Sequence, residues 1–306
     1  MKLIVHGQQA FGKAVLEAIL DKSVDEVVAV YCAPDKEGRP FDPIKEFALE
    51  KGLSVFQPTS YKDPEVWAQL ASHDADLCVM AYVLLIVPEE ALNAPRYGSI
   101  QYHPSLLPMH KGPSSINWPI IFGSTKTGLS IFWPDNGLDT GPILLQKEVD
   151  IEPDDTLGSI YFNKLFPMGV DAMLESIDLV RDGNAPKIEQ DPHGGTYEGW
   201  CRKADVEIDW TKSADEVYNL IRGANPQPGA WTTINGEEVR VFDCQKTTSV
   251  SGEAGTVASM GEDGVVVATG EGGIRILKLR PADSGKISAH EFATNQNLLV
   301  DTKLGV

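Results

Sequence analysis

Positive charge is what this chain most lacks. Its 306 residues hold 26 Lys and Arg against 44 Asp and Glu, a formal net charge of −18. A polyanion such as tRNA is normally met by a basic surface, and a field of this sign repels it. A small-molecule substrate is therefore favoured. Long apolar runs are missing too, for none reaches the ~18 residues a membrane helix needs. The N-terminus, Met1-Lys2-Leu3-Ile4-Val5-His6-Gly7, has neither the apolar core nor the small-residue cleavage site of a secretory leader. Cysteine is scarce: Cys32, Cys78, Cys201 and Cys244 stand far apart and form no Cys-x-x-Cys pair. They read as reduced thiols of a cytoplasmic protein. There is no internal repeat. What remains is an ordinary globular composition, 42% hydrophobic and 23% charged, at a length that suits two domains.

Periodicity predicts an α/β architecture first. Residues 2–6, 26–32, 53–56, 76–81, 98–102 and 128–133 read as strands. Residues 10–20, 43–51 (with Asp42 as cap) and 64–72 read as helices. Such alternation implies parallel βαβ units, a mostly parallel sheet covered by helices on both faces. Residues 159–181 carry apolar side chains at helical spacing and read as one long helix packed on the sheet. Pro113 suits the first position of a helix running through Trp118. Near residue 200 the texture changes. Residues 214–222 read as a helix capped by Ser213. Short strands follow at 231–234, 239–243, 255–259, 264–268 and 273–280, with Asn235-Gly236 as a hairpin turn. Several short strands with regular turns suggest a small barrel. The expected partition is 1–203 and 204–306.

Two strand-end elements carry the chemistry. His103 opens His103-Pro104-Ser105-Leu106-Leu107-Pro108, where Pro104 biases it to extended backbone. Asp139 lies in Gly137-Leu138-Asp139-Thr140-Gly141, after the apolar run Phe132-Trp133-Pro134. Loops at strand ends are where open α/β sheets build their sites, and an imidazole and a carboxylate brought together can share proton transfer. The residues alone leave a structural role open for each, the Asp as a turn residue beside two glycines. His6, His73, His110, His193 and His290 have no comparable context and read as structural. The apolar stretch Leu84, Leu85, Ile86, Val87 follows a strand. It reads either as simple burial or as the wall of a pocket for a flat aromatic ligand. Gly7-Gln8-Gln9-Ala10-Phe11-Gly12-Lys13-Ala14 nearly matches a phosphate-binding loop, but Ala14 stands where Ser or Thr would hold magnesium. A tight strand-to-helix turn is the expectation there.

The His103 and Asp139 blocks, in this order and spacing, make the chain resemble the formyltransferases that use 10-formyltetrahydrofolate. The likeness runs through nearly the whole chain. It is marked towards the hydrolase domain at the N-terminus of 10-formyltetrahydrofolate dehydrogenases. Shared texture includes Ala33-Pro34-Asp35-Lys36, Ser130-Ile131-Phe132-Trp133, Thr196-Tyr197-Glu198-Gly199 and Pro228-Gly229-Ala230-Trp231. The resemblance implies a Rossmann-like folate-binding domain followed by a small OB-like β-barrel. It implies His103 and Asp139 as the catalytic pair: an amine or water attacks the formyl carbon, His103 stabilises the oxyanion, and Asp139 relays the proton to the leaving N10. It further implies that Leu84, Leu85, Ile86, Val87, Ser105, Leu106, Pro134, Asp135, Asn136 and Gly137 hold the folate, largely through backbone groups. No metal or nucleotide is required. The dehydrogenases continue into a carrier and an aldehyde dehydrogenase domain. A chain ending at Val306 is expected to supply the formyl step alone.

Gln101 is a departure from that pattern. Most of the transferases carry Asn two residues before the His, where the amide helps hold the oxyanion. The dehydrogenases' hydrolase domain carries an apolar residue there. Gln donates the same bond from one methylene further out. The stretch Met109-His110-Lys111 and a short loop at 33–40 lack the basic character usual in methionyl-tRNA formyltransferases. Methionyl-tRNA formylation, sugar-nucleotide N-formylation and non-catalytic folate binding are the alternatives. Folate plus water or a small amine is the expected pairing, with the oligomeric state open.

Overall fold

The computed structural model describes residues 1–248, 250–282 and 284–305. The chain packs as two compact units. The first comprises Met1–Gly112, Gly128–Val149 and Lys164–Tyr197, the second Pro113–Thr127, Asp150–Asn163 and Glu198–Val306.

In chain order the elements begin β1 (Lys2–Gly7), α1 (Gln9–Lys22), β2 (Glu26–Tyr31), α2 (Pro43–Glu50), β3 (Val55–Phe56), α3 (Pro64–Ser72), β4 (Leu77–Ala81), α4 (Glu89–Leu92) and β5 (Ser99–His103). They continue with α5 (Asn117–Ile121), β6 (Lys126–Phe132), β7 (Ile143–Asp150), α6 (Leu157–Ser159) and α7 (Phe166–Arg181). The first unit is built on one sheet in the order β3-β2-β1-β4-β5-β6-β7. The pairings from β3 to β5 are parallel, because each strand is joined to the next by a helical crossover. β6 runs antiparallel to β5, with His103 opposite Ser130.

Apolar side chains cover both faces of this sheet. Leu3 and Val5 of β1, Val79 of β4 and Ile100 and Tyr102 of β5 pack with α1, α2 and α7. Ile4, Tyr31, Cys78 and Met80 pack on the other face with Leu70, Ala91 and Leu92 of α3 and α4. Each such side chain contributes about 1.5–3 kcal/mol when fully buried. The first Gly-rich loop is a strand-to-helix turn. A Cβ on Gly7 would lie 2.6 Å from the Ala81 carbonyl oxygen, and one on Gly12 3.1 Å from the Gly7 carbonyl carbon. Close approach of α1 to the sheet requires these glycines.

Two helices depart from the sequence expectation. The long helix is interrupted, for a π-helical stretch, Ile160–Leu165, separates α6 from α7. Pro167 stands in the first turn of α7; it lacks an N–H and crowds the preceding turn, so a regular helix cannot pass through it. The helix expected from Pro113 begins only at Asn117, whose side-chain amide is drawn to the carbonyls of Gly223 and Gln227 at 2.9 and 3.1 Å.

The second unit holds α8 (Ala214–Gly223), β8 (Trp231–Ile234), β9 (Glu237–Thr247), β10 (Val257–Gly261), β11 (Gly264–Ala268), β12 (Gly273–Pro281), β13 (Ile287–Ser288) and α9 (Ala289–Asn295). Ser213 caps α8 through a reciprocal pair with Glu216. Asn235 and Gly236, both at positive φ, turn β8 into antiparallel β9, as the hairpin twist demands. The sheet order is β10-β11-β12-β9-β8, with β13 beside β12. Ile234 and Thr256, at its two edges, bridge to Leu304 and Lys303, so one short terminal segment meets both edges.

His6 sits inside the first unit, 2.9 Å from the Tyr61 hydroxyl. Burial lowers its pKa from 6.5 to about 3, so the folded protein holds it neutral. The unfolded chain protonates it below pH 6.5. Between these limits the unfolded state binds the extra proton, and stability falls as pH drops. Wild type should lose about 1.4 kcal/mol per pH unit from this group across the window. His6→Gln should flatten the dependence by about one proton in denaturant unfolding at pH 4 to 7. Equal slopes for the two proteins would refute the assignment.

Candidate active site

β5 delivers His103. Because side chains alternate along a strand, Ile100 and Tyr102 enter the core while Gln101 and His103 share the opposite face. His103 is only 6% exposed, and Gln101 is half-buried. Pro104 ends the strand, and the chain folds back through residues 105–112. Ser130, on β6, is the hub of that fold. Its hydroxyl donates to the Ser105 carbonyl at 2.7 Å and accepts from the Leu107 N–H at 3.0 Å. The Gln146 amide donates to Ser130 Oγ at 2.9 Å and to the Leu107 carbonyl at 2.8 Å. Ser105 is fully buried, and its hydroxyl donates to the Met109 carbonyl at 2.6 Å. Leu106 packs on Gly128, leaving no space there for a Cβ. Both residues thus brace the loop.

Asp139 arrives on a tighter loop. The Trp133 N–H donates to the Pro142 carbonyl at 2.8 Å, closing its base. Asp135 Oδ1 accepts from the Gly137 N–H at 2.9 Å and the Thr140 hydroxyl at 2.7 Å. A Cβ on Gly137 would lie 1.8 Å from Thr140 Oγ1, and one on Gly141 1.8 Å from the Trp133 carbonyl oxygen. The two glycines of the sequence block are therefore steric requirements. Asp139 itself stands at φ +56° and is 8% exposed. Its Oδ2 accepts from the Gly112 N–H at 2.8 Å and lies 3.7 Å from His103 Nδ1. The structure thus brings together the two residues that the sequence singles out.

The imidazole has a defined orientation. Nε2 lies 2.9 Å from the His110 carbonyl oxygen. That oxygen can only accept, so Nε2 carries the hydrogen. In the neutral ring this leaves Nδ1 bare, facing Asp139 Oδ2. Two acceptors then oppose each other in a nearly dry setting. Nδ1 is thereby the ring nitrogen turned toward the Asp139 carboxylate.

The stretch after β4 and the Asp139 loop carry apolar side chains that are not buried. Leu84 is 52% and Ile86 78% exposed, and Leu85, Leu138 and Tyr82 are also exposed. Simple burial is thereby excluded for Leu84, Leu85 and Ile86, while Val87 is partly buried against the core. The Asn136 amide donates to Glu89 Oε2 at 2.6 Å, tying the loop of Pro134, Asp135, Asn136 and Gly137 to the segment that follows Val87. An exposed apolar rim tied to a polar loop suits a flat ligand with polar edges.

Several contributors were not among the site residues expected from the sequence. Ser130, Gln146, Gln190 and Thr196 act through hydrogen bonds made mostly to backbone groups, which leave no periodic trace. Ser130→Ala would strand the Leu107 N–H and the Ser105 carbonyl in a dry interior. It should cost about 1–3 kcal/mol in urea unfolding, with an unchanged dependence on denaturant. A loss below about 0.5 kcal/mol, the scale of an inert surface change, would remove Ser130 from its place as hub.

Comparison with known proteins bears on the chain as a whole. The family described as Formyl transferase matches residues 1–176, and Formyl transferase, C-terminal domain, matches residues 201–297. Human mitochondrial 10-formyltetrahydrofolate dehydrogenase is 43% identical over 247 residues, 79% of this chain and 26% of that protein. The chain thus spans about a quarter of the dehydrogenase's length. Methionyl-tRNA formyltransferase of Fusobacterium nucleatum is 36% identical over 259 residues, 83% of each protein. An N-formyltransferase from Helicobacter canadensis, crystallised with folinic acid and dTDP-3-aminofucose, has the same fold, with a TM-score of 0.66 at 20% identity over 90% of this chain and 98% of that one. A match through more than half of the chain, and a relative alike along most of both lengths, place this protein in the formyl transferase family.

Proposed function

We propose that the chain takes the formyl group of 10-formyltetrahydrofolate, passes it to a small amine or to water, and releases tetrahydrofolate. The observation that carries this reading is the buried pair of His103 Nδ1 and Asp139 Oδ2 at 3.7 Å. Formyl transfer needs a donor for a developing oxyanion and a carrier for one proton, and this pair supplies both.

The nucleophile adds to the formyl carbon, and the carbonyl oxygen becomes an oxyanion. His103, carrying hydrogen on both ring nitrogens, donates to it from Nδ1, the nitrogen that its bond to His110 leaves facing the site; a donor so placed is worth ~10²–10³ in rate. Gln101, on the same strand face, is positioned to add its amide. Asp139 accepts the nucleophile's proton and returns it to N10 as the carbon–nitrogen bond breaks, so the pair ends the cycle as it began. Leu84, Leu85, Ile86 and Val87 cover the flat face of the pterin, and the polar loop through Pro134, Asp135, Asn136 and Gly137 meets its edge. Ser105 and Leu106 support this surface from below. The chemistry is assigned to residues 1–203, and the net charge of −18 favours a small acceptor.

Methionyl-tRNA is the second acceptor to be tested, since the Fusobacterium relative carries that name over 83% of both lengths. Incubation with 10-formyltetrahydrofolate, with and without amines or Met-tRNA, should release tetrahydrofolate. Asp139→Asn should lower the rate at least ~100-fold, the scale of a lost general acid/base. His103→Asn should do likewise. Tight folate binding with no turnover under any condition would sink the enzymatic reading in favour of a folate-binding protein. Formylated Met-tRNA as the sole product would make tRNA the acceptor.

A further inference from the structure

We propose that residues 190–197 are a strap that sets the His103–Asp139 geometry, with Gln190 and Thr196 as positioning residues. The proposal rests on the catalytic reading above. At one end the Gln190 amide donates to the Asp139 carbonyl at 3.0 Å and to the Gly141 carbonyl at 2.7 Å. A single NH₂ group thereby spans two carbonyls of the loop that holds Asp139 at φ +56°. An Asp tolerates that conformation better than most residues, and the bonds to its own carbonyl and that of Gly141 hold the loop in it.

Gln190 has a cost that points the same way. Its Oε1 is buried and has no partner among the described residues. Folded proteins seldom leave such an atom unpaired. What the residue supplies is the pair of hydrogens at the other end of its amide.

Six residues on, Thr196 holds the other loop. Its hydroxyl accepts from the His110 N–H at 3.0 Å. Its carbonyl accepts from the Lys111 N–H at 3.0 Å, and its N–H donates to the Pro108 carbonyl at 3.3 Å. His110 is thereby held at φ +55°, with its carbonyl aimed at His103 Nε2. Gly195 must be glycine, because a Cβ there would lie 2.0 Å from the Pro108 carbonyl oxygen. The strap is anchored at both ends. Ile188 exchanges two backbone hydrogen bonds with Ile143 at 2.8 and 2.9 Å, and Tyr197 bridges Lys111. One segment outside both catalytic blocks thus carries a bond to each of the two loops. A shift of about 1 Å in such geometry is worth up to ~10² in rate.

The test uses Gln190→Leu, Gln190→Glu, Thr196→Val and Thr196→Ser in the full chain. Tetrahydrofolate release gives kcat and KM, and ¹⁵N NMR of the His103 ring reads the hydrogen bond at Nε2. Gln190→Leu, Gln190→Glu and Thr196→Val should lower kcat ~10- to 100-fold and leave KM for the folate within about twofold. Thr196→Ser, which keeps the hydroxyl, should stay near wild type. In an Asp139→Asn background, Gln190→Leu should cost less than about twofold, since residues acting through one another are not additive. The His103 ring signal should move in Thr196→Val and stay in Thr196→Ser. Wild-type kcat and ring signal in all four variants would overturn the strap, as would an equal fold-loss from Gln190→Leu in both backgrounds. A ring signal that moves while Asp139→Asn retains full activity would keep the strap and overturn the catalytic reading instead.

Discussion

The site depends on one hydrogen bond, from His103 Nε2 to the carbonyl of His110 at 2.9 Å. It fixes which nitrogen carries hydrogen and so which is left to face Asp139. Were the ring turned over, the same two side chains would sit at the same place with different chemistry. The carbonyl is a good choice of partner because it has no proton to give and cannot titrate. His110 occupies the left-handed region, where a non-glycine residue is uncommon. Its backbone has been bent to aim that oxygen.

The fold explains why such precision is available. β5 lies inside the sheet between β4 and β6, so the Cα of His103 is fixed by strand pairing. Ile100 and Tyr102 anchor the strand from its other face. The loops on either side cannot be strands, yet their polar backbone atoms must still be satisfied. Ser130 and Gln146 answer for the His103 loop, Asp135 and Gln190 for the Asp139 loop. Rigidity at the site is thus the sum of many modest bonds, each about 0.5–1.5 kcal/mol net, arranged on a scaffold whose stability comes from apolar burial.

Legibility in the sequence divides along the same line. The sheet, its helices and the hairpin at Asn235-Gly236 follow from periodicity and turn chemistry, which are local. His103 and Asp139 were legible because prolines and glycines punctuate the chain around them, and those residues are required by close contacts at Gly137 and Gly141. Leu84, Leu85 and Ile86 were ambiguous, since an apolar run reads alike whether it is covered or left open. β7 escaped notice because its later residues alternate in exposure, and Lys147, Glu148 and Asp150 mask the strand. The interruption ahead of α7 was hidden by good helical spacing on both sides of Pro167. Gln190 lay beyond reach, and Thr196 showed only as part of the shared Thr196-Tyr197-Glu198-Gly199 block, for a side chain that bonds a distant backbone group declares nothing in its own neighbourhood.

Backbone strain gives a separate view of where function lies. Eight non-glycine residues have positive φ among the described residues. Five are Asp or Asn, which tolerate that region through local hydrogen bonding. The remaining three are Gln9, Tyr82 and His110. Nothing in a turn requires a glutamine, a tyrosine or a histidine there, and each costs of order 1–3 kcal/mol. All three stand just beyond the carboxyl ends of β1, β4 and β5. This is the edge at which an open parallel sheet presents its ligand crevice. Gln9 is held by Asp42, which accepts its N–H at 2.8 Å, and His110 by Thr196. Tyr82 opens the exposed apolar stretch after β4. Strain unrelieved by residue choice has thus gathered at one edge of one sheet, where the buried pair also sits. Selection for stability alone would have placed glycine or asparagine at these positions. What the strained residues gain is direction, since each re-aims the chain as it leaves a strand, and a site built from loop backbone needs that aim more than it needs the last increments of stability.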